Sequence, residues 1–155
     1  MKRRDFLKTT AVSGAAVVAA PSFALAEDKK GPVSKNKFTL EQSLESIMGK
    51  KTAKMEGISL TAPDIAENGA VVPVKVEVDS PMTKDNYVKA IHVIAEKNQN
   101  SRVLSVFLTP KNGGAYLSTR IKLGESQKVI IIAELSNGEF KRAEKEVKVT
   151  IGGCG

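Results

Sequence analysis

From Gly57 onward, apolar residues tend to occupy every second position of the chain, and residues typical of turns recur between these stretches. The clearest stretch is Val72–Val78, in which valines alternate with Pro73, Lys75 and Glu77. Because successive side chains of a β-strand point to opposite faces, this pattern predicts a strand with one buried and one exposed face. The alternation therefore restricts the chain to a fold built mainly from β-sheet.

The same pattern predicts seven strands, near residues 57–61, 71–78, 86–96, 102–109, 115–123, 128–135 and 139–151. We therefore expect an all-β fold, an antiparallel immunoglobulin-like β-sandwich with a short N-terminal helix and a flexible C-terminal arm. The expected core consists of apolar residues at inward positions: Val74, Val76, Ile91, Val93, Val106, Leu108, Leu117, Ile130, Ile132, Val147 and Val149.

Short polar segments between the strands are expected to form hairpin connections at residues 112–114, 124–126 and 136–138. Pro73 cannot donate a backbone hydrogen bond to a neighbouring strand. We therefore expect it at an edge position or among the first residues of its strand.

One short helix is predicted before the strands. Thr39 and Gln42 form a Thr-x-x-Gln capping box, which satisfies free backbone donors where a helix begins, and Gly49 is expected to end the helix. Between them, apolar residues follow the spacing of one helix face: Leu40, Leu44, Ile47 and Met48. This pattern favours a helix that packs on the sandwich over one that binds a ligand.

The N-terminal residues have the pattern of an export signal. Arg3 and Arg4 precede an apolar stretch at residues 11–20, and the small residues at 24–26 offer a cleavage site. This order predicts a twin-arginine signal peptide over residues 1–26 and export to the periplasm. The apolar stretch is shorter than the roughly 20 residues that span a bilayer, so we expect no membrane anchor. Residues 27–151 are then the folded domain and 152–155 the arm.

Composition excludes several function classes. The formal charge is +7, and the signal peptide carries four basic and one acidic residue, so its removal leaves +4 on 129 residues. Lysines are scattered and aromatic residues are few, so we expect no nucleic-acid partner. One histidine, His92, and one cysteine cannot supply a structural zinc site, and no phosphate-binding loop or CxxC motif is present. We therefore expect no metal, no cofactor and no catalytic residues, with His92 serving a structural role.

The tail carries the one residue with distinctive chemistry. Cys154 is the only cysteine, and it is flanked by Gly152, Gly153 and Gly155. We expect these glycines to form a flexible arm that begins where the last strand ends at Ile151, with a reach of roughly 10 Å. No cationic side chain close in sequence activates the thiol, so we expect partner enzymes to act on it. An exposed lone thiol also predicts a disulfide-linked dimer in oxidised samples.

Three features together resemble the SoxY family: the tail Gly152-Gly153-Cys154-Gly155, the twin-arginine leader and the segment at residues 60–74, which reads LTAPDIAENGAVVPV. The resemblance extends over essentially the whole mature chain. It implies a periplasmic covalent sulfur carrier of thiosulfate oxidation, with Cys154 as the attachment point and no bound cofactor.

The resemblance also implies partners. SoxY-family proteins pair with SoxZ, a second immunoglobulin-like subunit. Transient partners are the haem enzyme SoxAX, the di-manganese hydrolase SoxB and, in organisms that have it, the molybdenum enzyme SoxCD.

Two other classes remain open from the residues alone. A periplasmic immunoglobulin-like structural or interaction module would share the sandwich, and its terminal thiol would be incidental. A thiol oxidoreductase would need an activated cysteine, which titration of the thiolate near neutral pH would reveal.

Overall fold

The alternating pattern after Gly57 folds into two β-sheets that face each other. The computed structural model describes residues 37–153, which form one α-helix and nine strands. These are α1 (Leu40–Met48), β1 (Ala53–Lys54), β2 (Ile58–Thr61), β3 (Ile65–Asn68), β4 (Val72–Val78), β5 (Val88–Ala95), β6 (Arg102–Phe107), β7 (Ala115–Ile121), β8 (Gln127–Leu135) and β9 (Phe140–Ile151). The prediction of an all-β sandwich with a short helix is confirmed.

The larger sheet has the strand order β1-β9-β8-β5-β6, with β3 also paired to β9, and the smaller sheet has the order β2-β4-β7. All seven predicted strands are present within one to two residues of their predicted bounds. The sequence pattern missed β1 and β3, and both run parallel to β9. The expectation of purely antiparallel pairing was therefore wrong for these two short strands, which join the sheet at the side of β9 away from β8.

The core lies between the two sheets. The inward residues of the central strands are fully enclosed, among them Val74, Val76, Ile91, Val93 and Val147. The prediction was wrong about the face of Ile130 and Ile132, which are buried on the outer side of the larger sheet and not between the sheets. Four other residues of the predicted core are only partly buried: Val106, Leu108, Leu117 and Val149. The first three lie on or next to the edge strands β6 and β7, and the fourth lies near the end of β9, where the opposite sheet covers less surface.

Helix α1 packs on the outer face of the larger sheet. The predicted capping box is present, because the Thr39 hydroxyl accepts from the Gln42 amide at 3.3 Å and the Gln42 side chain accepts from the Thr39 amide at 3.1 Å. The apolar face of the helix covers a second cluster of buried residues: Ile94, Ile130, Ile132 and Phe140. This cover explains why the middle strands of the larger sheet are buried on both faces.

Only one of the three predicted hairpins exists. Residues 136–138 connect β8 to its neighbour β9, with Gly138 at φ 80°, as a three-residue hairpin loop requires. Residues 112–114 join β6 to β7, and residues 124–126 join β7 to β8. Both of these cross from one sheet to the other, because β7 pairs with β4 in the smaller sheet.

Pro73 lies in β4, the middle strand of the smaller sheet, so the edge position was the wrong alternative. On one side it is opposite Arg120 of β7. On the other side, β2 ends at Thr61, which is opposite Lys75. Pro73 is therefore among the first residues of its strand, before β2 begins to pair with it.

Candidate functional site

Strand β9, which leads to the tail, changes partners along its length. From Phe140 to Val147 it pairs with β8, and from Lys148 to Ile151 it pairs with β3. The Lys145 ammonium group lies 3.0 Å from the Asp64 carboxylate, which connects β9 to the residue before β3. The last paired residues of β9 before the tail therefore lie beside β3, Ile65–Asn68.

The base of the tail is held by three backbone hydrogen bonds. The Gly69 amide donates to the Ile151 carbonyl at 2.7 Å, and the Leu123 amide donates to the Gly69 carbonyl at 2.7 Å. The Gly153 amide donates to the Leu123 carbonyl at 2.9 Å. The expectation that the free arm begins directly after Ile151 was wrong, because Gly152 and Gly153 lie against backbone from two other segments.

Glycine is required at three positions here because main chains approach closely. A Cβ at Gly152 would overlap the Gly124 carbonyl oxygen, and a Cβ at Gly153 would lie 2.6 Å from the Ala70 amide nitrogen. A Cβ at Gly69 would lie 2.8 Å from the Gly153 nitrogen. None of the three has a positive φ, so the close approach and not the backbone conformation requires glycine.

The Leu123–Gly124 segment is itself held by Asn98, in the turn between β5 and β6. The Asn98 side-chain oxygen accepts from the Gly124 amide at 3.1 Å and from the Gln127 side chain at 2.8 Å. Its nitrogen donates to the Lys122 carbonyl at 2.8 Å. All of these groups belong to one network, so Asn98 fixes the segment that accepts the Gly153 amide.

The segment on the other side of the tail is a tight turn. The Asn68 side-chain oxygen accepts from the Ala70 amide at 2.8 Å, and the Val71 amide donates to the Asn68 carbonyl at 3.3 Å. Beside this turn, Val71 is 54% exposed and Ile151 is 67% exposed. The base of the tail therefore lies at the protein surface between exposed apolar side chains.

The remaining predicted site residues have mixed outcomes. Cys154, Gly155, Arg3 and Arg4 lie outside the described residues. His92 is buried on the outer face of β5, and burial together with the positive charge of Arg102 lowers the pKa of its imidazole. The structural role expected for His92 agrees with this position.

Two kinds of site are absent from residues 37–153. No three or more His, Cys, Asp or Glu side chains of this range lie close enough together to hold a metal ion. No helix of the same range has the length and apolar character needed to cross a membrane.

Comparison with protein families identifies the family of the chain. The family model described as "Sulfur oxidation protein SoxY" matches residues 44–154, a range that includes Cys154 and the whole network at its base. The chain belongs to the SoxY family. A second model, for the twin-arginine translocation signal, matches residues 1–20, so this SoxY-family protein is exported to the periplasm by that route.

Solved structures agree with the family. The sulfur carrier protein SoxY from Chlorobium limicola f thiosulfatophilum is 28% identical, with a TM-score of 0.58, covering 73% of this chain and 97% of that one. A superoxide reductase (neelaredoxin) from Ignicoccus hospitalis is 15% identical, with a TM-score of 0.55, covering 77% and 99%. The second likeness shows the shared fold alone. A search of curated proteins found no match.

Several residues that shape the site of this SoxY-family protein were missed from the sequence. The Asn68-Gly69 pair is a recognisable turn signal, and it could have marked the turn beside the tail. Nothing in the sequence around Leu123 or Asn98 distinguishes them from other loop residues. Their roles depend on contacts with segments that lie far away along the chain.

Proposed function

We propose that this protein is a covalent sulfur carrier in periplasmic thiosulfate oxidation, with Cys154 holding the sulfur intermediates. The observation that carries the proposal is the match to the SoxY family through Cys154, the only cysteine. A carrier needs a thiol on a surface that enzymes can reach. The position of Gly153, one residue before Cys154, at the surface beside exposed Val71 and Ile151 supports this requirement.

The proposed chemistry begins with the coupling of thiosulfate to the thiol. A sulfur–sulfur bond forms between Cys154 and the outer sulfur of thiosulfate, the thiol proton is released, and two electrons pass to the haem enzyme SoxAX. Water then cleaves the terminal sulfonate under the action of SoxB, which releases sulfate and two protons and leaves a persulfide anion on Cys154. In organisms with SoxCD, the remaining sulfur is oxidised and hydrolysed in its turn.

The carrier itself is proposed to supply no catalytic group. Its contribution is to keep the intermediate bound while the tail visits successive enzymes, which supply the electron acceptor and the hydrolytic metals. We propose that the working unit is a heterodimer with SoxZ, as the family implies. The exposed apolar residues of the described part offer surface for such contacts: Met55, Ile65, Val71, Phe107, Tyr116 and Ile151.

The proposal is tested by mass spectrometry of the protein purified from cells grown on thiosulfate. We expect extra mass of a thiosulfonate or of sulfane sulfur on the C-terminal peptide, and none on the Cys154→Ser variant. The variant should still fold and co-purify with SoxZ, because Cys154 lies beyond the paired part of β9. An unmodified C-terminal peptide under active thiosulfate oxidation would refute the carrier role and favour an interaction module.

A further inference from the structure

The backbone contacts at the base of the tail suggest a more specific role for residues that are distant in sequence. We propose that Gly69, Leu123 and Gly124 form a clamp on Gly152 and Gly153 that positions Cys154 and limits its reach until the clamp opens. These three residues are called the tail clamp below. The functional part of this inference rests on the proposed carrier role, whereas the clamp itself is a property of the fold.

Closure of the clamp limits the reach of Cys154. Cα atoms of adjacent residues are about 3.8 Å apart. A closed clamp fixes the position of Gly153, so the Cys154 Cα stays within about 3.8 Å of that fixed point. Release of Gly152 and Gly153 as far back as Ile151 would extend the reach to roughly 10 Å. The closed state therefore presents the thiol close to the protein surface, and only the open state allows entry into a recessed enzyme site.

The closed and open states of the clamp differ by few contacts. Release of the tail back to Ile151 breaks one backbone hydrogen bond, from the Gly153 amide to the Leu123 carbonyl. The bond from Gly69 to Ile151 and the pairing of β3 with β9 can remain. Glycine gains more conformational freedom on release than any other residue, which offsets part of the lost hydrogen bond. The closed state is therefore favoured by no more than the contribution of one hydrogen bond, and a partner can open it at small cost.

The core and the side chain of Asn98 hold the clamp in place. Asn98 donates to Lys122 and accepts from Gly124, so it fixes both sides of Leu123. Leu123 is itself completely buried. The acceptor for the Gly153 amide therefore cannot move without disturbing the core or the Asn98 network. We assign Asn98 and Gly69 as positioning residues of the carrier tail.

The tail clamp is tested with the full mature chain and two pairs of variants. Gly69→Ala places a methyl group against the Leu123 carbonyl and the Gly153 amide, and Gly114→Ala is its control, since a Cβ there meets nothing within 4 Å. Asn98→Ala removes the side-chain hydrogen bonds to Lys122 and Gly124 without adding bulk. It therefore keeps the test valid if Gly69→Ala does not fold. Asn112→Ala is its control, because the Asn112 side-chain oxygen accepts from Thr109 within its own turn and forms no hydrogen bond to the clamp.

The first readout is hydrogen exchange of the Gly153 amide by NMR, which requires no sulfur chemistry. We expect exchange in the wild type to be slowed about tenfold relative to an unstructured peptide, and this protection to be lost in Gly69→Ala and Asn98→Ala. Both controls should retain it. An unprotected Gly153 amide in the wild type would overturn the clamp, whatever the sulfur state of Cys154.

The second readout is the ratio of alkylation rates of Cys154 with a bulky and a small maleimide. The ratio cancels differences in thiolate content, so it reports access alone. We expect it to rise several-fold in both clamp variants and to stay unchanged in both controls; equal ratios throughout would overturn the limit on reach. A protected Gly153 with a Cys154 that is never loaded by thiosulfate would refute the carrier role and leave the clamp intact.

Discussion

The imidazole of His92 and the hydroxyl of Ser105 share a hydrogen bond of 2.7 Å between Nδ1 and Oγ, across the pairing of β5 with β6. His92 is 6% exposed, and its ring is nearly perpendicular to the ring of Phe107, with the centroids 6.3 Å apart. Burial is the main cause of the lowered pKa of His92, the charge of Arg102 lowers it further, and Glu134 opposes the shift. The folded protein therefore favours the neutral imidazole.

This relationship predicts a loss of stability in mildly acidic solution. Because the pKa of His92 is lower in the folded state, the unfolded chain binds more protons once the pH falls below the ordinary value of 6.5. The stabilisation is present above that pH and is lost as the pH falls through the folded-state pKa. Between pH 7.5 and pH 5.5, the free energy of unfolding measured in urea should fall more for the wild type than for His92→Gln.

A second loss of stability, at lower pH, should be unaffected by His92→Gln. The pKa of Glu144 is lowered, first by its hydrogen bond with Lys128 and also by Arg142, and this stabilisation is lost only below the ordinary value of 4.5. His92→Gln should therefore alter only the loss of stability between pH 7.5 and pH 5.5. If the free energy of unfolding fell equally with pH for the wild type and His92→Gln between pH 7.5 and pH 5.5, the role given to the buried imidazole would be contradicted.

Ile130→Ala should strongly destabilise the sandwich. Ile130 is 1% exposed and lies beneath helix α1, so truncation leaves a cavity between the helix and the sheet. We expect a loss of about 2–5 kcal/mol in the free energy of unfolding. Ile65→Ala removes the same atoms from a side chain that is 62% exposed and should change stability by about 0.5 kcal/mol or less. Similar losses in both variants would show that the helix does not cover Ile130.

Gly152→Ala distinguishes a docked tail from a free tether. The added methyl group would overlap the Gly124 carbonyl oxygen, so the tail must detach and lose the bond from Gly153 to Leu123. Urea unfolding should show a loss of about 1 kcal/mol, and no more, because detachment relieves the overlap. An unchanged free energy of unfolding would restore the free tether that the sequence had suggested.

Oxidation should link two copies of the chain through Cys154. The protein has no second cysteine for an internal disulfide. Non-reducing electrophoresis after mild oxidation should show a band of twice the monomer mass, which disappears on reduction and is absent from Cys154→Ser. A native thiol that resists both oxidation and alkylation would show that it is not exposed.

Alternating valines and isoleucines were sufficient to predict the long strands, and the capping box with the helical spacing of Leu40–Met48 was sufficient to predict the helix, because each pattern is local. The strand β1 was missed because it contains only two residues, and β3 was missed because Ile65–Asn68 has no alternating apolar pattern. The pairing of both depends on β9, far along the chain. Short glycine-rich segments look alike in sequence whether they form a hairpin or cross between sheets. For that reason only the loop containing Gly138 was interpreted correctly.

The tail illustrates a different limit of sequence interpretation. Glycine allows a chain to move freely, and it also allows two main chains to lie in close contact. The sequence around Gly152 and Gly153 favoured the first explanation. The second depends on Gly69 and Gly124, whose positions beside the tail are known only once both sheets are assembled.

The pairing of β9 with β1 and β3 has a consequence for the order of folding. The Lys145 ammonium group, on β9, donates to the Ala62 carbonyl from 83 residues further along the chain. During synthesis, β1 and β3 leave the ribosome long before the strand that completes their sheet, and such distant contacts form slowly. A twin-arginine substrate crosses the membrane already folded. Maturation in the cytoplasm must therefore wait for β9, so the strand that leads to the reactive cysteine also determines when the protein is ready for export.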